Sequence, residues 1–203
     1  MEKSLNELTK DLDKLQFLLP VGYLYLILLG IVKETLLFLP LGINILQYSS
    51  ISDILLSPLA EAFANPINFF MFFGLAVFAW YTPFLLKKYG HKKWVLKMFG
   101  IRKSAEELAA KGDDYFRMLA VENFAKGCLM IFIGYGFAVG VMERQTIKQG
   151  DGKLTHTITF NSGQVDTVRV VETNSVYFFY VPKGGKSLSA APVGAIQQIQ
   201  KLP

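Results

Sequence analysis

Apolar residues in this chain come in long blocks rather than in narrow stripes. Residues 67–86 form twenty uncharged, mostly apolar positions that end at Lys87 and Lys88. Twenty helical residues at about 1.5 Å each cover the roughly 30 Å hydrocarbon core of a bilayer. Phe69, Phe70, Phe72 and Phe73 leave no polar face toward water, so the block predicts a membrane span rather than an amphipathic helix. Pro83 predicts a kink near its end. Two further blocks predict spans over about 17–39 and 124–142. In the latter, residues 127–142 carry no charge, and their sixteen positions reach about 24 Å, so Lys126 must snorkel or the bilayer must thin.

Between the blocks the pattern changes character. In residues 1–16, Leu5, Leu8, Leu12 and Leu15 recur at helical spacing among charges, which predicts an amphipathic segment on the membrane surface. The apolar run that follows has no small-residue cleavage site, which argues against a cleaved signal peptide. Lys33 and Glu34 sit near the end of the first span. As neighbours they point to different faces, which argues against a tight ion pair; Lys33 is expected to snorkel and Glu34 to reach water, with a buried functional charge as the alternative.

Residues 40–66 are apolar, lack Lys and Arg, and are broken by Pro40, Gly42, Pro58 and Asn65-Pro66, which predicts an interfacial loop. Ser57 before Pro58 marks a helix start and Asn65-Pro66 its end. Tyr48, Asp53 and Glu61 stand out here, either as a partner-docking or ion-attracting surface or as parts of an interfacial anchor. The two acids, eight residues apart, could face each other across a bend.

From residue 146 the period becomes two. Leu154, His156, Ile158 and Phe160 alternate with threonines; turns at Asn161-Ser162-Gly163, Thr173-Asn174-Ser175, Lys183-Gly184-Gly185-Lys186 and Pro192 to Ala195 separate five short strands. The fold class expected is therefore three transmembrane helices plus a small C-terminal all-β domain over 146–203, a five-stranded barrel of the SH3-like or Sm-like kind. Because strands alternate, Tyr177 and Phe179 share one face and Phe178 and Tyr180 the other. One pair fills the core, and Tyr177 with Phe179 are the candidates for partner binding.

A hydrophobic content of 52% against 18% charged residues, clustered rather than mixed, fits the membrane reading. The net charge of +5 sits largely in the connector over 87–123, so lipid phosphate and not nucleic acid is the expected anion. Lys87, Lys88, Lys92, Lys93, Lys97, Arg102 and Lys103 are the headgroup candidates, interleaved with Trp94, Val95, Met98, Phe99 and Ile101 in a basic amphipathic stretch. Ser104-Ala105-Glu106-Glu107 matches a capping box, Asp113 or Asp114 can cap the next helix, and Glu122 can pair with Lys126. From Lys87 to Lys126 there are ten Lys or Arg and over 40–66 none, which puts the connector and the amino terminus in the cytoplasm and the first loop and C-terminal domain outside.

Chemistry-bearing groups are sparse. His91 and His156 form no metal-ligand pair at recognisable spacing, and His156 reads as a half-buried barrel residue. Cys128 is alone in an apolar run. No catalytic residue, cofactor site or metal site is assigned. In the third span Gly136 and Gly140 form a small-xxx-small motif, repeated one turn back by Gly134 and Ala138, which predicts close helix packing within the chain or between copies.

The stretch from Thr157 to Gly163, the run Val170-Val171-Glu172-Thr173-Asn174-Ser175-Val176-Tyr177-Phe178-Phe179, and Pro192 to Ile199 resemble the C-terminal module of small uncharacterised bacterial membrane proteins. The first-loop run Leu41-Gly42-Ile43-Asn44-Ile45-Leu46-Gln47-Tyr48, ending at Asp53, is similar to theirs. The resemblance implies a multi-pass protein of the bacterial cytoplasmic membrane and brings no activity with it. A looser similarity is to small mechanosensitive channels, in which three spans precede an Sm-like domain. The function expected is a non-enzymatic interaction or assembly module, partnered by the bilayer and by further copies or another membrane protein. The alternative is an oligomeric pore lined by the third span; an enzyme would need Asp53, Glu61, His91 or His156.

Overall fold

A computed structural model describes the backbone of residues 2–64, 66–101, 107, 110–150 and 152–203, and the side chains of Gln16 and of these residues from 19 onward. Among the described residues three helices are long and apolar enough to cross a membrane, at Leu19–Leu41, Pro66–Tyr89 and Asp113–Gln149. The first of these stretches joins the end of α1, Glu2–Phe38, to the turn Leu39–Leu41, and α1 makes no break at residue 16. Helical leucine spacing runs straight into the apolar block, and Pro20 inside the helix removes only one backbone hydrogen bond. The leucine face of residues 1–15, residues 104–106 of the capping box, Arg102 and Lys103 lie outside the described side chains or residues.

The chain forms two compact units, Met1–Leu59 with Phe132–Pro203, and Ala60–Ile131. In the first, α1 ends at a short 3-10 turn, Leu39–Leu41, where Gly42 adopts φ 78° to close it. Helix α2 spans Ile51–Ala64 and so begins six residues before the predicted start at Ser57. Ser50 and Asp53 explain the shift. The Asp53 N–H donates to Ser50 Oγ at 3.1 Å and the Ser50 N–H to Asp53 Oδ2 at 3.1 Å, a reciprocal cap that starts the helix earlier. Pro58 lies inside the helix and leaves the Ile54 carbonyl without its intrahelical donor. That carbonyl faces Gly30 of α1, where an added Cβ would lie 1.8 Å from the oxygen. The freed carbonyl therefore becomes the contact point of two helices.

The carboxy-terminal region is a five-stranded antiparallel sheet of β1 (His156–Phe160), β2 (Val165–Thr173), β3 (Tyr177–Pro182), β4 (Ser189–Pro192) and β5 (Ile196–Lys201). Its order is β4-β3-β2-β1-β5, and the sheet does not close into a barrel. Gly163 and Gly184 supply the positive φ that two of the turns need. A bulge at Val171 in β2 shifts the register against β3, so that Phe178 lies opposite Thr173 and Phe179 opposite Glu172. Ile158, Val168 and Phe178 are buried on one face, with Phe160, Val170, Tyr180 and Ile196 packed on them.

The second unit contains helix α3 (Pro66–Tyr89), the short α4 (Lys93–Met98) and the start of α5 (Asp113–Gln149). Helix α3 continues through Pro83 to Tyr89. Leu86, Val95 and Phe116 are buried together, with Phe99 and Ile101 against them, while Trp94 and Met98 are exposed. The apolar set of the basic stretch is thus divided: part closes a small core and part stays on the surface. Asp113 and Asp114 sit in the first turn of α5 rather than at its cap, because the Tyr115 N–H already bonds the Gly112 carbonyl and marks Gly112 as the flanking residue.

Candidate functional site

Four of the five residues singled out for partner binding meet at one junction inside the first unit. Phe179, fully buried, sets its ring edge-on to Phe38 with centroids 4.9 Å apart, and Leu37 and Ile45 complete the cluster. Tyr48 meets Tyr177 at 5.2 Å and Phe179 at 6.0 Å, both edge-on. Alternation along β3 produces this. Phe178 and Tyr180 face the interior cluster of the sheet, whereas Tyr177 and Phe179 face the end of α1 and the first loop.

Polar groups fix the same junction. Ser175, in the turn between β2 and β3, donates its N–H to Asp53 Oδ1 at 3.0 Å and its hydroxyl to Oδ2 at 2.8 Å. Asn174 donates to the Tyr48 carbonyl at 3.0 Å, while its own Oδ1 accepts the N–H groups of Val176 and Tyr177. Partial burial pushes the Asp53 carboxyl up, but hydrogen bonds from Ser50 and Ser175 outweigh it and hold the group below its ordinary value of 3.8. One carboxylate therefore caps α2 and ties down the sheet. The sequence signals for it were Ser50-Ile51-Ser52-Asp53 and the Asn174-Ser175 turn; neither says which partner the carboxylate finds. A further tie joins Arg169 of β2 to Glu143 near the end of α5.

Glu61 is elsewhere. It lies eight residues from Asp53 on the same continuous helix, about 12 Å along the axis, so no bend brings the two acids together. Asn68 donates to its Oε1 at 2.8 Å.

Sequence reasoning also separated Lys33 from Glu34, and here the structure differs. Lys33 and Glu34 are both buried, and Lys33 Nζ lies 3.1 Å from Glu34 Oε1 and 2.9 Å from Ser57 Oγ. The Ser57 hydroxyl donates in turn to the same Glu34 oxygen. Lys33 does not extend to the surface, because α2 folds its Ser57 over the pair and supplies a hydrogen-bond partner. Flexible side chains on adjacent residues can converge on a third group even when their Cβ atoms diverge. Chemically the trio is a compensated charge pair bridged by a hydroxyl, which suits clamping two helices in low dielectric.

The helix-packing residues divide likewise. A Cβ on Gly136 would lie 2.9 Å from the Lys33 carbonyl oxygen and one on Gly140 2.3 Å from that of Leu37, so this pair packs α5 on α1 within the chain. Gly134 and Ala138 are exposed, with nothing within 4 Å of a Cβ at Gly134.

Of the headgroup candidates, Lys87 pairs with Asp113 at 2.6 Å, Lys88 lies over the Phe84 and Tyr89 rings, Lys92 lies over Tyr89, and Lys93 and Lys97 are exposed. Glu122 and Lys126 form the expected i, i+4 pair. His156 is half-buried beside Thr155, and Cys128 is buried. Among the described residues no group of three or more His, Cys, Asp or Glu side chains is placed to hold a metal ion. Compared with known proteins, the chain matches no family model, no curated protein and no solved structure.

Proposed function

We propose that the protein is a multi-pass component of the bacterial cytoplasmic membrane that works as a non-enzymatic assembly module, holding a small SH3-like or Sm-like sheet at the outer surface for a second chain. The observation that carries this reading is the junction of Phe179, Tyr48, Asp53 and Ser175, which ties the sheet to the first loop and the end of α1. A sheet held at that many points is displayed in one orientation, at low entropic cost to a partner. The same contact supports a reading in which the first loop and the sheet share one side of the membrane, as three crossings would give. The charge count then puts that side outside.

With Tyr177 and Phe179 committed to the chain itself, the sheet's edges remain as the partner surface. Among the described residues strand β5 pairs with β1 alone and exposes Gln197, Gln198, Ile199 and Gln200, so its outer edge is open to strand addition. The test replaces Cys128 with Ala and introduces a single cysteine at Gln198 or, as a control, at exposed Ser162. Crosslinking in membranes should give a protein adduct from position 198 and little from 162; equal or absent adducts at both would sink the edge reading. An impermeant thiol reagent on intact cells should label position 162 before lysis, and labelling only after lysis would reverse the orientation.

A second reading, an oligomeric pore, is favoured by one observation: Gly134 and Ala138 leave an exposed small-residue face on α5 while Gly136 and Gly140 are used within the chain. Conductance in planar bilayers that changes with Gly134→Leu and Ala138→Leu would support it. Substitution at Gly136 or Gly140 cannot separate the readings, since it disrupts the fold of either.

A further inference from the structure

The second unit contains an open trough of about 640 Å³ between α3 and α5. Its α3 wall is Ala76, Ala79, Trp80 and Pro83, and its α5 wall is Arg117, Ala120, Val121 and Phe124. Each set follows the i, i+3, i+4, i+7 spacing of one helix face, so two whole stripes face each other along about 10 Å of helix. Alanines are the reason that the space is unfilled: Ala79 and Ala120 are themselves buried, yet reach only one carbon into the gap. Trp80 stands at the rim, 83% exposed.

The two ends of this trough differ. Toward Phe124 it is apolar. Toward Arg117 both stripes continue into charge, with Lys87 one turn beyond Pro83 and Asp113 one turn before Arg117. Lys87 and Asp113 satisfy each other across the two helices at 2.6 Å, and Lys126 is paired with Glu122. The exposed Arg117 guanidinium makes no hydrogen bond or ion pair among the described residues and reaches Asp113, already bonded to Lys87, only through a longer-range Coulombic attraction, so its fork is open at the trough's polar end. An apolar trough between two helices of spanning length, ending where two cations, Lys87 and Arg117, face the one carboxylate Asp113, suits a phospholipid: chain along the alanines, phosphate on the arginine.

We propose that this trough is a seat for an anionic phospholipid, with the phosphate on Arg117 and an acyl chain along Ala76, Ala79 and Ala120. The seat is distinct from the diffuse attraction of the connector lysines for a charged surface, because it needs one cation and one gap together. It also stands apart from the assembly role, since it requires only that α3 and α5 lie in a bilayer.

Trp80 and Trp94 are the two tryptophans of the chain, so Trp94→Phe leaves Trp80 as a reporter at the rim. The full-length protein is reconstituted into phosphatidylcholine vesicles containing equal mole fractions of brominated phosphatidylglycerol or brominated phosphatidylcholine, and Trp80 quenching is compared. Brominated phosphatidylglycerol should bind in preference by about fivefold, the effect of one basic contact at a membrane surface. Arg117→Gln should abolish the preference by removing the phosphate contact, and Ala120→Leu by filling the gap, whereas Lys148→Gln, an exposed cation near the far end of α5, should leave it in place. Equal quenching by the two lipids in the Trp94→Phe protein would overturn the proposal. So would a preference that survives both Arg117→Gln and Ala120→Leu, which would assign it to the general charge of the connector. Protection of Trp80 from both lipids would put a second protein copy in the trough and likewise overturn it.

Discussion

The two units of this protein use small residues in opposite ways. In the unit of residues 1–59 and 132–203, glycines bring backbones into contact: Gly30 against the Ile54 carbonyl, Gly136 against Lys33, and Gly140 against Leu37. In the unit of residues 60–131, alanines on α3 and α5 leave a trough. Burial follows the same division, with 33% of the apolar window of α1 buried against 17% for α3. Between lipid tails a helix gains little by hiding apolar side chains, so only close approach or a polar tie holds it to a neighbour. Where both occur, at Gly30, Ser57 and Lys33, the chain has a fixed junction; between α3 and α5 the tie of Lys87 to Asp113 and the approach of Leu75 to Gly127 lie outside the alanine stripes, and along those stripes space remains.

The largest test of that difference is Gly140→Leu. Its Cβ would sit 2.3 Å from the Leu37 carbonyl oxygen, which is backbone and cannot swing away. Loss of about 3 kcal/mol or more is expected in thermal unfolding of the detergent-solubilised protein, against less than about 0.5 for Gly134→Leu, where the space is open. Equal effects at the two glycines would remove the distinction between a packed and an unpacked face of α5.

Next in size is Glu34→Ala, which leaves Lys33 buried without its carboxylate and should cost about 3 kcal/mol. The double variant Lys33→Met with Glu34→Leu should recover most of that loss, because the charge and its counter-charge leave together. If the double variant is as unstable as the sum of the single changes, the pair is not coupled as the geometry indicates.

Asp53→Ala should cost about 1–2 kcal/mol, since it removes a helix cap and a tie to Ser175 at once. Asp53 also sets a pH dependence. Its folded-state value is depressed below the ordinary 3.8, so its contribution is fully present above that value and is lost as the pH falls through the depressed one. Asp53→Asn keeps a capping side chain but not the charge, and unfolding midpoints below pH 3.8 should fall less steeply in that variant than in the parent. Parallel curves would show that the carboxylate carries no such linkage. The smallest effect belongs to the second unit: Lys87→Gln removes an exposed ion pair and should leave the unfolding midpoint unchanged within error.

Chain-local patterns settled much of this architecture. The uncharged block at 67–86 required a helix of spanning length, and the alternation from Leu154 onward, punctuated by Asn161-Ser162-Gly163 and Lys183-Gly184-Gly185-Lys186, required short strands and turns at the positions where β1 to β5 and their connections lie. Glu122 and Lys126 had to meet because one helix puts them a turn apart. These features are legible because period, length and turn chemistry depend on neighbours within a few residues.

What a side chain finds across the fold depends on elements far away in the chain, and there the sequence was silent or misleading. Lys33 and Glu34 point apart along α1, and only the arrival of Ser57 from α2 makes them a cluster. Tyr177 and Phe179 were legible as one face of a strand, but that the face meets Phe38 and Tyr48 was decided by how the sheet docks. Gly136, rather than Gly134, became the packing glycine because α1 lies on one side of α5, a choice that small-residue spacing leaves degenerate. Local sequence determined the elements and the faces they offer; tertiary structure decided which faces meet, because that choice rests on contacts between residues more than a hundred positions apart, such as Asp53 and Ser175.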